Sequence, residues 1–252
     1  MTDASFHVFS DLEAASDALA RTLIERAQAA VAARGRFVMS LAGGSTPNRL
    51  YQLLANVYRD SMPWEYTHIF WGDERFVPWN SPESNYYRVH ETLLQKVPIP
   101  SSQVYRIITE SGSARTAAQL YQAELMSFCR INPELDQTFD VALLGLGEDG
   151  HTASLFPENL PQEFIEEDEA RQNWVKAIVG PDWRPPVQRI TLTYAALNRS
   201  DYAFFLVSGA SKAKPLAKIL DKEVGHSAYP AAFIKAHSGV HWFVDEAAHT
   251  GM

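Results

Sequence analysis

The run Gly145-Leu-Gly-Glu-Asp-Gly-His-Thr-Ala-Ser-Leu-Phe-Pro157 opens on GLGEDG, a literal G-x-G-x-x-G, directly after the strand-like Phe139-Asp-Val-Ala-Leu-Leu144. If these glycines cradle a dinucleotide, a helix follows and its amino end faces the pyrophosphate. Three features argue otherwise. Glu148 and Asp149 put two carboxylates where that anion would sit. Pro157 limits the helix that would carry the dipole. The acidic residue expected at the end of a second strand, about 20 residues on, is replaced by a polar, acid-rich stretch. The alternative is a turn built around His151, in which Gly145, Gly147 and Gly150 let the backbone fold sharply and approach a ligand. Asp149 and His151 then share one turn. A carboxylate that accepts from one ring nitrogen fixes the tautomer and leaves the other free as a base, and imidazole titrates near neutrality. A capping Asp followed by an incidental His would give the same letters.

Working outward, helical and strand-like segments alternate. Asp11 caps a helix running to about Arg34, with Leu12, Ala15, Leu19, Leu23 and Ala27 as its apolar stripe and Gly35 as its stop. Residues 37–41 read as a buried strand, 47–57 as a helix with Pro47 in its first turn, and 68–71 as a second strand. Residues 84–96 read as helical, 104–108 as extended and 114–130 as helical. Later strands are expected at 174–179, 189–193, 202–207 and 241–244, with a helix over 211–220. Helices of this length between strands imply a mainly parallel sheet with helices on both faces, a Rossmann-like α/β fold. No repeat or linker divides the chain, so residues 1–252 are expected to form a single domain. The acidic stretch Glu163–Glu169 reads as a solvated loop or helix face.

Ligands of such sheets sit at the carboxyl ends of the strands. Four loops follow expected strands and converge there. AGGSTP over 42–47 has the physics of an anion cradle, since Gly43 and Gly44 expose backbone amides, Ser45 and Thr46 add hydroxyls, and a helix start follows. It lacks the Lys and the spacing of a nucleotide P-loop, which points to one phosphate rather than three. An ordinary turn capped by Ser45 or Thr46 is the plainer alternative. GDER over 72–75 brings Asp73, Glu74 and Arg75 to a strand end. Arg75 can fork onto a phosphate or an oxyanion, or pair with the adjacent acids. SGASK over 208–212 puts Lys212 at a helix start, the end that cations avoid unless an anion is present.

The chain of 252 residues is 46% hydrophobic and can bury a large core, and its formal charge of −8 lacks the basic footprint of a nucleic-acid binder. An acidic ligand must then be met by a local positive site rather than by the overall field. Cys129 is the only cysteine, so no intrachain disulfide forms, which fits a reducing compartment. No apolar run reaches membrane-spanning length, and MTDASFHVFSDLEAA lacks a secretory layout, so a cytoplasmic protein is expected. The other histidines, at 7, 68, 90, 226, 237, 241 and 249, show no metal-ligand spacing, so no metal site is expected.

Together LAGGSTP (41–47), WGDERFVPWNSPESNYY (71–87), GLGEDGHTASLFP (145–157), SGASKA (208–213) and PAAFIKAHSGVHWFVDEAA (230–248) resemble the 6-phosphogluconolactonase family, within a wider group that includes glucosamine-6-phosphate deaminase/isomerase. The resemblance covers most of the chain, and its most specific part is DGHTASLFP together with WGDER. It implies hydrolysis of 6-phospho-D-glucono-1,5-lactone to 6-phosphogluconate in the oxidative pentose phosphate pathway, without metal or organic cofactor. It further implies His151 as general base, Asp149 as its orienting carboxylate, and Arg75 and Lys212 as binders of phosphate or developing charge. Gly43, Gly44, Ser45, Thr46 and Asp73 would stand alongside as substrate-binding residues. The expected partner is the sugar-phosphate lactone, with no nucleic acid and no membrane, for a monomer or weak homodimer.

Two other readings remain. An amino-sugar-phosphate deaminase/isomerase is expected to carry Asp-Glu-Tyr after the second strand and Asn-Glu-Pro after the Gly-His motif. Asp73-Glu74-Arg75 and Ser154-Leu155-Phe156-Pro157 stand there instead. A non-catalytic sugar-phosphate sensor normally carries a DNA-binding helix-turn-helix, and the residues ahead of Phe37 are too few and too Ala-rich for one.

Overall fold

Strands β2 (Phe37–Leu41) and β5 (Val141–Leu144) are buried at every residue. Strands apolar on both faces belong inside a parallel sheet covered on both sides. The computed structural model, which describes residues 4–132, 137–157, 172–179, 187–220 and 229–250, places them there. With β1 (Ala4–Phe9), β3 (Thr67–Trp71), β8 (Tyr202–Val207) and β9 (Gly239–Asp245) they form a sheet of order β1-β9-β8-β5-β2-β3. All of its neighbours run parallel. The chain leaves β2 for β3 on one side and later returns to β2's other side with β5. That reversal of strand order is the place where such sheets open a crevice.

Helices cover both faces as expected. The first, α1 (Leu12–Arg34), starts where the Asp11 side chain accepts from the Ala14 amide at 2.8 Å and stops at Gly35, in the left-handed region at φ 74°. It packs on β2, β8 and β9. On β3, successive side chains face opposite ways. Phe70 meets Tyr121 and Phe128 of α4 (Ala114–Ile131), while Trp71 meets Tyr86 of α3 (Asn85–Thr92). The remaining helices are α2 (Pro47–Asn56), α5 (Tyr194–Leu197), α6 (Ala213–Leu220) and α7 (Glu246–His249) among the described residues. None among these residues is long and apolar enough to cross a membrane.

Two strands escaped the sequence reading. β1 precedes the first strand expected, at 37–41, and pairs with β9 at the far end of the chain. β4 (Asp73–Arg75) lies within what reads as a loop. It pairs antiparallel with β7 (Gln188–Leu192), which pairs antiparallel with β6 (Val175–Val179). The runs expected at 174–179 and 189–193 are therefore strands, but of a second small sheet. Gly72 joins the two sheets, donating to the Leu41 carbonyl at 2.9 Å and accepting from the Leu192 amide at 2.8 Å. Of the extended stretch expected at 104–108, only Val104 forms a bridge, to Ile69. The acidic stretch Glu163–Glu169 lies outside the described residues.

The outer edge of β3 is closed by groups that are not strands. Its outward carbonyls at Thr67, Ile69 and Trp71 accept from the Gln103 side chain (2.8 Å), the Tyr105 amide (2.8 Å) and the Tyr121 hydroxyl (3.0 Å). The Tyr121 oxygen in turn accepts from the Trp71 amide at 2.7 Å.

His68 on β3 packs between Tyr105 and Phe128, with its Nδ1 3.2 Å from the Tyr105 hydroxyl. Burial, and then the Arg36 charge, pulls its imidazole down from 6.5 to about 4. Between those values the unfolded chain holds a proton there that the folded one lacks, so stability falls as pH drops through the window. Denaturant midpoints of the His68→Gln variant, followed from pH 7 to pH 4, are expected to show a shallower acid-side decline than the parent. An identical slope would remove His68 from the account.

Candidate active site

At the carboxyl ends of β2, β3, β5 and β8 lies a cleft of about 290 Å³. That is near the lower end of the roughly 300–1,000 Å³ usual for small-molecule sites. All four loops singled out in the sequence reach it. Gly43–Thr46 come from the first, Asp73 and Arg75 from the second, Gly147 and His151 from the third, and Lys212 from the fourth.

The GLGEDGH stretch forms a compact turn, with the Gly150 amide on the Gly147 carbonyl (3.1 Å) and the Gly147 amide on the His151 carbonyl (2.8 Å). No α-helix starts among the described residues 145–157, which removes the scaffold of a dinucleotide cradle. Asp149 Oδ1 accepts from the His151 amide at 3.0 Å and lies 2.6 Å from Nδ1 of the same residue. Asp149 therefore caps the turn and holds the ring. Burial raises the Asp149 carboxyl, but the bonds from the His151 ring and amide outweigh it and hold the group below its ordinary value. With Nδ1–H on the carboxylate, Nε2 is left to act, and the ring is 30% exposed. It packs at a tilt against Phe156, with ring centroids 4.6 Å apart.

Two glycines of this turn are required by geometry. A Cβ on Gly147 would fall 2.1 Å from His151 Nδ1 and 2.6 Å from Asp149 Oδ1. Gly150 sits at φ 83°, and a Cβ there would fall 2.3 Å from the Tyr229 ring. Ala153 follows in the left-handed region at φ 48°, a strained position for a residue with a side chain. It forms the tip of the bridge between Thr152 and Leu155 and lines the cleft.

At AGGSTP, Thr46 already has helical backbone angles and makes no side-chain cap, so the plainer cap reading fails at that residue. α2 thus presents an amino end without a hydroxyl cap to the cleft, where a helix favours an anion. Gly43 admits no side chain, because a Cβ would fall 2.2 Å from the Asn85 amide group. Gly44 turns at φ 89°.

GDER divides its tasks. Glu74 is buried and accepts from the amides of Arg75, Asn85 and Tyr86 and from the Ser84 hydroxyl, so it anchors the start of α3. Burial pushes its carboxyl up against those four donors. The Arg75 guanidinium donates to the Glu83 carbonyl at 3.3 Å and reaches the cleft, which disposes of simple pairing with the neighbouring acids. Asp73 is buried in the wall. Its Oδ1 accepts from Asn85 at 3.1 Å, and its Oδ2 accepts from the Ser154 hydroxyl.

Two lining residues were missed. Arg189, in β7, stands 3.8 Å from Asp73 Oδ2 and over the Phe156 ring. Burial pulls its guanidinium down to about 10, Asp73 opposes that and Arg75 adds to it, so it stays cationic at neutral pH. Asn85 carries Asp73 toward α3. Neither lies in a loop that directly follows an expected strand. A charge directly ahead of the buried Ile190–Leu192 of the same strand was the available signal for Arg189.

A family model described as glucosamine-6-phosphate isomerases/6-phosphogluconolactonase matches residues 10–242. A Synechocystis protein named 6-phosphogluconolactonase is 37% identical over 219 residues, spanning 87% of this chain and 86% of that one. An Arabidopsis thaliana protein named probable 6-phosphogluconolactonase 5 is 35% identical over 250 residues, 96% of each chain. The crystal structure of the Thermotoga maritima 6-phosphogluconolactonase superposes with a TM-score of 0.80 at 32% identity, over 97% of this chain and all of that one. A monomeric glucosamine-6-phosphate deaminase shares the fold alone, with a TM-score of 0.76 at 19% identity, over 97% of this chain and 98% of that one.

The Gly147→Ala variant tests the turn without reference to any substrate. The new methyl meets the far ends of side chains rather than backbone, so the fold yields cheaply and the Asp149–His151 contact does not survive. Imidazole nitrogen NMR is expected to show His151 locked as the Nδ1–H tautomer in the parent and mixed in the variant, with a thermal midpoint within a few degrees. An unchanged tautomer would refute this account of the glycine.

Proposed function

The chain belongs to the glucosamine-6-phosphate isomerase/6-phosphogluconolactonase family, and on that basis we propose that it hydrolyses 6-phospho-D-glucono-1,5-lactone to 6-phosphogluconate in the oxidative pentose phosphate pathway. The observation that carries the reading is the Asp149–His151 pair facing a cleft lined by Arg75, Arg189 and Lys212. Nε2 of His151 takes a proton from water as its oxygen attacks the lactone carbonyl, and the carbonyl electrons move onto oxygen. Collapse breaks the ring C–O bond, and the imidazolium returns the proton to the departing ring oxygen. Asp149 holds the tautomer and stabilises the imidazolium.

A lactone is an activated ester, so one base and a stabilised oxyanion suffice. No nucleophilic serine is needed, and Ser154 is buried with its hydroxyl bonded to Asp73. The three cations supply positive charge for the phosphate and the oxyanion, and the Gly43–Thr46 loop with the start of α2 adds backbone donors for the phosphate. Asp73 shapes the pocket wall by holding Asn85 and Ser154 in place. A phosphate bound away from the carbonyl uses its binding energy to orient the reacting ring. We place the enzyme in the cytoplasm, as a monomer or weak homodimer that acts without nucleic acid. The single cysteine supports the compartment, and the net charge of −8 supports the absence of nucleic acid.

A coupled assay with fresh lactone and 6-phosphogluconate dehydrogenase, corrected for spontaneous opening, tests the reading. His151→Ala is expected to lower kcat by at least ~10², the scale of losing a general base. Near-normal turnover would refute the assignment. Lys212→Ala, Arg75→Ala and Arg189→Ala are each expected to weaken 6-phosphogluconate binding, and unchanged binding in all three would misplace the anion site. The product is also expected to raise the thermal midpoint by mass action where NAD and NADP at matched ionic strength do not. Saturable binding of either nucleotide would reopen the cradle reading of GLGEDG.

A further inference from the structure

One buried carboxylate outside the groups assigned above has both oxygens turned toward the loop that carries Lys212. β8 and β9 pair in register through Val207 and Val244, so Ser208, just past the end of β8, lies beside Asp245, the last residue of β9. Asp245 is 5% exposed. Its Oδ1 and Oδ2 accept from the Gly209 amide at 3.0 and 3.1 Å, and Oδ2 also accepts from the Ser208 hydroxyl. Oδ1 further accepts from the Ala248 amide at 2.8 Å, capping α7.

The Gly209 backbone stands at φ 96° and ψ 148°, a region essentially closed to residues with a Cβ. Its carbonyl accepts from the Lys212 amide at 2.9 Å, which closes the turn. A short chain of hydrogen bonds therefore runs from Asp245, through a glycine held in an unusual conformation, to the backbone of a cleft lysine. Left to itself, a turn of this kind samples other conformations, because glycine restricts them least. The bidentate carboxylate removes that freedom.

We propose that Asp245 is a positioning residue for phosphate recognition: without touching ligand, it fixes the Ser208–Gly209 turn and so the place of Lys212 in the cleft. This rests on the reading of Lys212 as an anion binder. A carboxylate that merely capped α7 would require neither the Ser208 hydroxyl nor both oxygens on Gly209.

A double-mutant cycle decides it, with the dissociation constant of 6-phosphogluconate measured calorimetrically and KM and kcat read in parallel. Asp245→Asn keeps the size of the side chain, and Ser208→Ala cuts one bond to the carboxylate while sparing the α7 cap. Each is expected to weaken binding by about tenfold, the scale of coupling between residues in one network, and to raise KM by more than it lowers kcat. In a Lys212→Ala background the same two substitutions are expected to add less than about twofold. Equal losses in both backgrounds would show a structural role only and overturn the proposal, as would normal affinity in a folded Ser208→Ala and Asp245→Asn pair. If Lys212→Ala alone leaves affinity unchanged, the anion role of Lys212 falls and this inference with it. If Lys212→Ala weakens binding and the other two do not, only the inference falls.

Discussion

A carboxylate taken out of water destabilises a fold unless its oxygens find donors or a cation, and Asp73 is buried at the seam between the two sheets. The donors it finds come from segments far apart in sequence: Asn85 from the start of α3, Ser154 from the loop that carries His151, and, 3.8 Å away, Arg189 from the small sheet. Satisfying one carboxylate thus brings together the His151 loop, a cleft cation and the helix next to the AGGSTP turn. The Asn85 side chain also fills the space a Cβ on Gly43 would need, so the same network shapes the anion cradle. Glu74, one residue along, takes three of its four donors from the start of α3 and the fourth from the Arg75 amide. Both acids of GDER are tied into the surrounding structure, while the Arg75 side chain reaches the cleft.

Much of this was legible in the chain because parallel sheets write themselves plainly. β2 and β5 are apolar on both faces, α1 has a side-chain cap and a glycine stop, and the ligand loops follow strand ends. The features that escaped share another property: their meaning depends on a partner remote in sequence. β1 alternates only weakly, since it lies at the sheet's edge, and it is a strand because β9 pairs with it. β4 has three polar residues and no strand pattern of its own, and β7 makes it a strand. Arg189 looks like an ordinary strand residue until the small sheet folds back over the cleft. The Asp149–His151 pair lies at the opposite extreme, as its two members are two residues apart and need only their own turn.

The electrostatics also follow from placement rather than composition. With a net charge of −8, the chain repels anions at long range. At the cleft, Arg75, Arg189 and Lys212 meet an amino-terminal helix end, and Asp73 offsets only part of that charge. Within a Debye length of about 10 Å at moderate salt, the local cations outweigh the distant acids. The cleft is thus a small concavity with more cationic than anionic side chains in a chain of net negative charge.

The way β3 ends bears on how the molecule can associate. A free strand edge is a template for another strand. On β3 the outward carbonyls of Thr67, Ile69 and Trp71 are taken by Gln103, Tyr105 and Tyr121, and a tyrosine hydroxyl serves as donor and acceptor where a neighbouring chain would otherwise dock. Among the described residues the six-stranded sheet is therefore terminated on that side, so a second copy finds no free carbonyl row at β3 on which to add a strand.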